Sequence, residues 1–311
     1  MRVLRGPWST WEPQAAPTAV TVGVFDGVHR GHRTLIDRLK ATGHVPTVLT
    51  FDPHPAEVLA PGTHPRLITT IEERLELLAG AGIELVGVLN LAEIRHLRPD
   101  EFVNEMLEQR LAMAAMVMGT DFQFGKDRSG DVGYLRRAGD LSGFKVEVVE
   151  LQTAEGVISS SGIRALIEVG DVKAAAVLLG SRYQLSNVVV DGDKRGRAIG
   201  FPTANLEPPG RKVIPGHGVY AAFALLRGER HQAAVNVGVR PTFGGSDLVV
   251  EAYLLDFNDD CYGETMMLEF VERLRPELKF TEVSELVEQM AVDVEMVRDV
   301  LDGIDAEPRD V

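Results

Sequence analysis

The change of hydrophobic pattern near Gly180 is the feature that most constrains the fold of this chain. Before it, apolar runs rich in β-branched residues, such as Ala19–Phe25 and Val45–Phe51, alternate with stretches whose apolar residues recur at helical spacing. Alternating strands and helices predict a parallel sheet, because consecutive parallel strands must be joined by long crossover connections. Residues 1–180 are therefore predicted to form a Rossmann-like α/β domain.

After Gly180 the pattern is mostly that of strands, with one helix at the end. Apolar and β-branched runs at Gln184–Val190 and Gly218–Leu226 are typical of a strand-rich domain. From about Val283 to Leu301 the apolar residues are spaced by three and four, which predicts a long helix. We expect a small antiparallel β-barrel with a C-terminal helix over residues 181–305.

Composition excludes several classes of protein. The 311 residues are enough for two domains that each bury a core. The net charge of −14 argues against a general nucleic-acid binder, because neutralising phosphates requires a basic face. A single cysteine, Cys261, rules out an intrachain disulfide and fits a reducing compartment. No apolar run approaches the roughly 20 residues that cross a bilayer. The sequence predicts a cytoplasmic enzyme without nucleic-acid or membrane partners, and it leaves the oligomeric state open.

The segment Gly23–His32, GVFDGVHRGH, lies where the first strand ends and the first helix begins. Open α/β sheets bind ligands at the carboxyl ends of their strands, and the free N–H groups of a helix start favour phosphate. His29 and His32 are three residues apart, so they share one face and can donate hydrogen bonds to a triphosphate. Two histidines alone are more often ordinary surface or core residues, so the prediction depends on the whole string.

This string resembles the nucleotide-binding signature of the HxGH nucleotidyltransferase superfamily. The form G-x-F-D-G-x-H-x-G-H is characteristic of the adenylyltransferase module of bacterial bifunctional riboflavin kinase/FAD synthetases. Further segments that are similar to this module are TFDPHP (Thr50–Pro55), Leu67–Leu78, Gly119–Val132 and ISSSGIR (Ile158–Arg164). The resemblance implies catalytic roles for His29 and His32, ATP or phosphate contacts from Gly23, Phe25, Asp26, Gly27, Asp121, Ser160, Ser161 and Arg164, and a flavin-side loop at Asp52, Pro53 and His54.

The serine-rich segment before Arg164 also has a physical rationale. Ser159, Ser160 and Ser161 can cap the N-terminus of a helix, and the Arg164 guanidinium can point to the same place. Taken alone, the segment is more often a plain serine cap beside a surface arginine. The phosphate-binding interpretation depends on its occurrence together with the histidine motif.

A second motif, GDKRGRAIGFPTAN, covers Gly192–Asn205. Its three glycines permit a loop that wraps phosphates, its basic residues supply positive charge, and its last oxygens suit a hard cation such as Mg²⁺. A glycine-rich basic loop by itself is often merely a solvated turn. The string GFPTAN resembles the signature of riboflavin kinases. Similar stretches follow at Gly218–Ala222, Asn236–Phe243, Val250–Phe257, Tyr262–Glu264 and Leu274–Phe280.

The resemblance to riboflavin kinases implies a set of site residues in the second domain. These are ATP-binding residues Gly192, Lys194, Gly196, Arg197, Gly200 and Pro202, metal ligands Thr203 and Asn205, the catalytic base Glu251, and flavin contacts from Tyr253 and Arg275. A glutamate in an apolar strand is costly unless it faces a polar site, and strand alternation places Glu251 and Tyr253 on one face. The alternative is a surface glutamate on an edge strand. Relatives often carry His where this chain has Tyr253, which leaves that residue's role open.

Together the two resemblances imply a bifunctional enzyme of flavin cofactor biosynthesis. It would phosphorylate riboflavin with ATP to FMN and then adenylylate FMN with ATP to FAD and pyrophosphate, with Mg²⁺ as cofactor. Two alternatives are an enzyme active in only one half and a non-catalytic flavin-binding regulatory protein. The joint presence of His29, His32, Thr203, Asn205 and Glu251 argues against both.

Overall fold

The computed structural model describes residues 1–62, 64–150, 152–153, 156–192, 196, 199–207, 210–242 and 245–305. They form two compact units, Met1–Ser160 and Ser161–Val311. The units divide about twenty residues before the change of sequence pattern at Gly180. The assignment of the two activities to residues 1–180 and 181–305 stays a prediction.

The first unit is built on a parallel sheet, as the alternation predicts. Its strands are β1 (Arg2–Leu4), β2 (Thr18–Val22), β3 (Val45–Phe51), β4 (Leu85–Leu89), β5 (Met113–Gly119) and β6 (Lys145–Val149). They lie in the order β1-β4-β3-β2-β5-β6, and every neighbouring pair is parallel. The pattern analysis did not identify β1, because three residues are too few to show a period.

Helices cover both faces of this sheet. They are α1 (Arg30–Ala41), α2 (Pro55–Leu59), α3 (Ile71–Gly80), α4 (Leu91–Ile94), α5 (Pro99–Glu101), which continues as π-helical turns over Phe102–Arg110, and α6 (Val132–Ser142). On one face α1 and α3 bury Ile36, Leu39 and Leu78, and on the other the π-helical turns bury Met106 and Leu107. A short hairpin of β7 (Gln152–Thr153) and β8 (Gly156–Val157) follows β6.

The order of strands locates the crevice of the first unit. From β2 the chain passes through α1 to β3 on one side, and it later returns to β5 on the other side of β2. This reversal is the topological switch point at which open α/β sheets bind ligands. The segment that follows Val22, the last residue of β2, therefore lies where a nucleotide site is expected.

The second unit is a closed barrel preceded by two helices and followed by one. Its elements are α7 (Ser160–Val169), α8 (Val172–Leu179), β9 (Tyr183–Val190), β10 (Ala204–Leu206), β11 (Gly218–Leu226), β12 (Glu229–Thr242), β13 (Gly245–Leu254), β14 (Thr265–Arg275) and α9 (Val283–Asp305). The barrel order is β10-β13-β12-β11-β14-β9, with antiparallel pairs throughout. Val297 and Leu301 of α9 pack on Ala221 and Phe223 of β11. The predicted fold class is confirmed.

Helix α8 belongs to the barrel rather than to the sheet. It contacts β9 and β14, and its buried residues are Val172, Ala175 and Leu179. A fragment of residues 181–305 is therefore expected to be less stable to unfolding than one of residues 161–305, by about 3–5 kcal/mol, because each buried Val or Leu contributes about 1.5–3 kcal/mol. Urea unfolding of the two fragments measures the difference, and equal free energies of unfolding would contradict this packing role.

Two candidate active sites

The loop between β2 and α1 has an unusual backbone. The N–H of Gly23 donates to the carbonyl of Leu49 on β3 (3.0 Å), which continues the sheet by one residue. Phe25 and Val28 then adopt φ values of +56° and +39°, and Gly27 has φ +81°. The left-handed region costs non-glycine residues about 1–3 kcal/mol, and such strain is concentrated at functional sites. The strained loop coincides with the motif that the sequence analysis assigned to ATP.

Asp26 anchors this loop from the inside. Its side chain is 1% exposed and accepts hydrogen bonds from the N–H groups of Ile68 and Thr69 and from Thr69 Oγ1, at 2.9–3.1 Å. Thr69 Oγ1 also accepts from the N–H of Gly27 (3.0 Å). The carboxylate is thus occupied by the protein, so any effect of Asp26 on ATP would come through the shape of the loop.

His29 and His32 stand together at the start of α1. Their rings stack at 3.6 Å between centroids with an interplanar angle of 18°. His29 is the N-cap of α1: its Nδ1 accepts from the N–H of His32 (3.4 Å), which leaves the proton on Nε2. The ring of Phe25, itself buried, lies 4.6 Å from that of His32.

Both imidazoles are neutral at neutral pH. Burial lowers the pKa of His29 to about 4, although the nearby Asp26 carboxylate opposes the shift. Burial also lowers the pKa of His32, and the neighbouring His29 and Arg74 lower it further. The pair is therefore suited to donate neutral N–H groups to a phosphate at the positive end of the α1 dipole.

The low pKa of His29 makes the stability of the first unit pH-dependent. In the unfolded chain the His29 imidazole is protonated near pH 6.5, whereas in the folded protein its pKa is about 4. The free energy of unfolding therefore falls as the pH falls through this window. We expect His29 to contribute a loss of about 3 kcal/mol between pH 7 and pH 4. His29→Asn keeps an N-cap side chain but removes the titration. Urea unfolding at both pH values should show a smaller loss in the variant, and an unchanged loss would contradict the assignment.

Further residues singled out by the sequence lie at the same sheet edge. Asp52–His54 follow β3, and Asp121 follows β5, the two strands that flank β2. His54 Nδ1 accepts from the N–H of Ala56 (3.1 Å) and so caps α2, while Asp52 and Asp121 are exposed. The flavin-side loop and Asp121 therefore flank the histidine loop.

The serines before Arg164 lie at the start of α7. The hydroxyl of Ser160 donates to the carbonyl of Asp26 (3.0 Å) and thus contacts the β2–α1 loop. Arg164 Nη2 donates to Ser161 Oγ (3.0 Å), one turn apart on α7. The sequence analysis correctly predicted a helix start here, but not the use of the Ser160 hydroxyl.

The second site is a cavity of about 380 Å³ in the barrel unit. Six residues named from the sequence line it: Gly196, Thr203, Asn205, Glu251, Tyr253 and Arg275. Glu251 on β13 lies directly opposite Asn205 of β10 on one side and opposite Asn236 of β12 on the other. Three polar side chains from three adjacent strands thus face one cavity.

The sequence analysis did not single out Asn236. It also lines the cavity, and it lies within the apolar run Ala233–Val237. The sequence feature that pointed to Glu251 also applies to Asn236, because a polar residue in an apolar strand needs a polar partner or site. Its place opposite Glu251 depends on the β12–β13 register, which only the folded barrel reveals.

Two described glycines of the second motif, Gly192 and Gly196, lie close to other residues of that motif. A Cβ atom on Gly192 would overlap the amide of Asn205, and one on Gly196 would overlap the carbonyl of Phe201. Gly200 has φ +92°, which favours glycine. Lys194 and Arg197, the cations assigned to ATP, lie outside the described residues, as does Arg195.

A smaller cavity of about 280 Å³ adjoins the first. Pro202 and Thr203 line it together with the loop Phe257–Tyr262 that follows β13. Thr203 borders both cavities. The arrangement can hold two ligands whose reacting groups meet at Thr203.

Arg275 is held by helix α9. Its Nε and Nη2 donate to the two carboxylate oxygens of Asp293 at 2.8 and 2.6 Å, and Gln289 Nε2 donates to the same carboxylate (3.0 Å). Asp293 is 4% exposed, so this is a buried bidentate pair on the cavity wall. Tyr253 also lines the cavity, and its ring meets that of Phe201 edge to face at 5.3 Å.

The donors in the barrel cavity fit a magnesium ion. Thr203 and Asn205 offer neutral oxygens, and Glu251 lies opposite Asn205 with a carboxylate. Within the described part of the chain no three His, Cys, Asp or Glu side chains are grouped to enclose a metal ion. Mg²⁺ is commonly held by one or two protein groups together with water and substrate phosphates. The few oxygen donors of this cavity are consistent with that kind of coordination.

Family models match both units. A FAD synthetase model covers residues 12–162, and a riboflavin kinase model covers residues 179–301. The bifunctional riboflavin kinase/FMN adenylyltransferase of Bacillus subtilis (strain 168) is 36% identical over 289 residues, which are 90% of this chain and 91% of that protein. The chain belongs to the bifunctional riboflavin kinase/FMN adenylyltransferase family. The member from Escherichia coli (strain K12) is 35% identical over 300 residues, covering 94% of this chain and 96% of that one.

A solved structure shares the fold across nearly the whole chain. It is described as a macrolide-efflux protein from Streptococcus pneumoniae, and it matches with a TM-score of 0.86 and 31% identity over 94% of this chain and 96% of its own. Among the described residues, no helix of the present chain is long and apolar enough to cross a membrane.

Membership in the riboflavin kinase/FMN adenylyltransferase family assigns an enzymatic domain to each site. His29 and His32 lie within the FAD synthetase match, and Thr203, Asn205 and Glu251 lie within the riboflavin kinase match. ATP and flavins are the ligands that these domains imply. Arg164 lies just beyond the first match, in the interval between the two models.

Proposed function

We propose that this chain converts riboflavin and ATP to FMN and ADP in the barrel unit, and FMN and ATP to FAD and pyrophosphate in the sheet unit. The observation that carries the proposal is that each unit brings predicted site residues together. The first unit has the stacked His29–His32 pair at the switch point, and the second has the Glu251 carboxylate facing a cavity. We place the enzyme in the cytoplasm, which suits its free Cys261.

In the barrel unit Glu251 acts as general base. It accepts the proton of the riboflavin 5′-hydroxyl while that oxygen attacks the γ-phosphorus of ATP, and ADP leaves. The larger cavity takes riboflavin, whose apolar ring system suits walls such as Val219, Leu286 and Met290. The smaller cavity takes ATP, so that the γ-phosphate arrives at Thr203, where the two cavities adjoin.

A magnesium ion would be held by Thr203 and Asn205 in this mechanism, and when bound it would neutralise charge on the phosphates. Asn205 and Asn236 also flank Glu251 from both neighbouring strands. They can fix the orientation of its carboxylate toward the hydroxyl. Gly192 lies close to Asn205, and Gly196 lies close to Phe201 and Thr203, which supports a role for this glycine motif at the phosphates.

In the sheet unit an oxygen of the FMN phosphate attacks the α-phosphorus of ATP, and pyrophosphate leaves. This displacement needs no nucleophile from the protein, so positioning and charge stabilisation supply the catalysis. The neutral imidazoles of His29 and His32 donate N–H groups to the triphosphate at the start of α1. The loop Asp52–His54 presents the flavin, and Asp121 contributes to the nucleotide side.

The decisive experiment is a turnover assay that separates FMN from FAD. The purified chain is incubated with riboflavin, ATP and Mg²⁺, and then with FMN, ATP and Mg²⁺, and the products are resolved by chromatography. We expect FMN and FAD from the first mixture and FAD from the second. Formation of only one product would show that one unit is inactive, and binding without turnover would indicate a flavin-binding regulator.

Thr203→Ala tests the metal site of the kinase. Loss of the hydroxyl is expected to raise the Mg²⁺ concentration that half-saturates FMN formation by ~10-fold, because one metal ligand and its outer contacts are typically worth 10–100-fold in affinity. FAD formation from FMN should not change. Thr203→Ser, which keeps Oγ, is the matched control and should retain the parent dependence on Mg²⁺. Equal Mg²⁺ dependence in the Ala variant and the parent would remove Thr203 from the metal site.

A further inference from the structure

Arg74 is a buried cation of the first unit. It lies on α3, and its side chain is 2% exposed. Arginine is almost never fully buried unless it is paired, because removing its charge from water is costly. No motif of the sequence analysis includes a role for it, and the mechanism proposed above does not use it.

The hydrogen bonds of Arg74 reach the carboxyl end of β3. Its Nη1 donates to Thr50 Oγ1 (3.2 Å) and to the carbonyl of Phe51 (3.0 Å). Thr50 Oγ1 in turn donates to the carbonyl of Val24 in the β2–α1 loop (2.8 Å). One guanidinium therefore links the last residue before Asp52–His54 to the loop that carries the histidines.

The same guanidinium reaches the anchor of the histidine loop. Arg74 Nη2 lies 4.0 Å from Asp26 Oδ1, and Asp26 is 1% exposed. Arg74 Nε is buried and makes no hydrogen bond to the described residues. The guanidinium therefore reaches both the end of β3 and the carboxylate that anchors the histidine loop.

The charge of Arg74 also acts on the histidines. Burial lowers the pKa of Arg74, and the carboxylates of Asp26, Asp52 and Glu72 oppose this shift. Arg74 in turn lowers the pKa of His32. The other groups that face the histidine pair are Asp26, which raises the pKa of His29, and His29 itself, which lowers that of His32. Among these groups Arg74 carries the positive charge, so replacing it by a neutral residue should raise the pKa of His32.

We propose that Arg74 is a positioning residue for adenylyl transfer, which fixes the flavin-side end of β3 against the histidine loop of the ATP side. The proposal rests on the adenylyltransferase function proposed for the sheet unit. Arg74 would touch neither substrate. It acts through Thr50 and Phe51 on the segment Asp52–His54, and through Asp26 on the loop that holds His29 and His32.

Three substitutions in the full-length protein test the inference. Arg74→Met removes the charge and the donors at similar length, Arg74→Lys keeps the charge with a single nitrogen, and Leu78→Ala is the control. Leu78 lies one turn further along α3 and is buried in the core. Its truncation weakens the packing of the same helix without altering any charge. Arg74→Gln replaces the Met variant if that protein aggregates.

Arg74→Met is expected to lower kcat for FAD formation by ~10²-fold, because a misplacement of about 1 Å between reacting groups can cost that much. Arg74→Lys should lose no more than ~10-fold. Riboflavin phosphorylation in the same samples should match the parent in all three variants. Leu78→Ala should lower the melting temperature but keep kcat for FAD formation.

A second measurement follows the charge effect by NMR. The imidazole signals of His32 are titrated in the parent and in each variant. The pKa of His32 should rise in Arg74→Met and stay near the parent value in Arg74→Lys and Leu78→Ala. A role confined to packing would move the melting temperature but not this titration.

The outcomes separate this inference from the proposed function. A parent protein that makes no FAD from FMN would refute the adenylyltransferase function itself. A parent that makes FAD, together with an Arg74→Met variant of equal kcat and equal His32 titration, would overturn only the role of Arg74. The role of Arg74 would also be overturned if Leu78→Ala lost as much FAD formation as Arg74→Met and if that loss followed the drop in its melting temperature.

Discussion

Replacing Glu251 by Gln is expected to reduce FMN formation from riboflavin by ~10²–10⁴-fold, the usual cost of removing a general base. Gln has the size of Glu and can still hydrogen-bond the 5′-hydroxyl, but it cannot accept a proton near neutral pH. Asn205 and Asn236 remain opposite the substituted residue, and Thr203 remains between the two cavities. Binding of Mg·ATP should therefore change little, and FAD formation from FMN should continue at the parent rate.

The matched control is Glu272→Gln on strand β14 of the same barrel. Glu272 pairs with Lys173 at 2.9 Å on the surface, outside both cavities. The same chemical change there should leave FMN formation unaltered. If Glu251→Gln phosphorylates riboflavin at the parent rate, Glu251 is not the base, and the kinase mechanism would need another proton acceptor.

Replacing His32 by Ala should slow FAD formation by ~10²–10³-fold, the range measured for the loss of one donor to developing charge. His32 is preferable to His29 for this test, because His29 also caps α1 and its loss would weaken the helix start. FMN formation in the same protein should match the parent, since the barrel cavity contains no part of the β2–α1 loop.

His96→Ala is the matched control for this experiment. His96 is exposed in the same unit and lies just after α4. Single-turnover assays with FMN and ATP would show whether His32→Ala slows the chemical step or only ATP binding. Parent-level FAD synthesis by the His32 variant would show that the imidazole makes no contact with the transition state.

The local pattern of the chain was sufficient to predict most of the elements. The bounds of β3 and β11 agree with the predicted Val45–Phe51 and Gly218–Leu226, and α9 begins at the predicted Val283. These segments have a clear period and clear ends, so neighbouring residues alone determine them. The motifs at Gly23–His32 and Gly192–Asn205 were visible for the same reason, since each is a continuous string.

The sequence alone determined some features of the protein, and only the tertiary structure determined others. The amino-acid sequence by itself determined the alternation of the first unit, the strand-rich second unit and the histidine and PTAN motifs. Only the tertiary structure decided that α7 and α8 divide from the sheet at Ser160, that three-residue β10 closes the barrel, and that Asn236 faces Glu251. It also decided that Arg74 lies beneath the histidine loop and that burial keeps His29 neutral. Strand register, burial and buried charge pairs arise between residues far apart in the chain, so no local period encodes them.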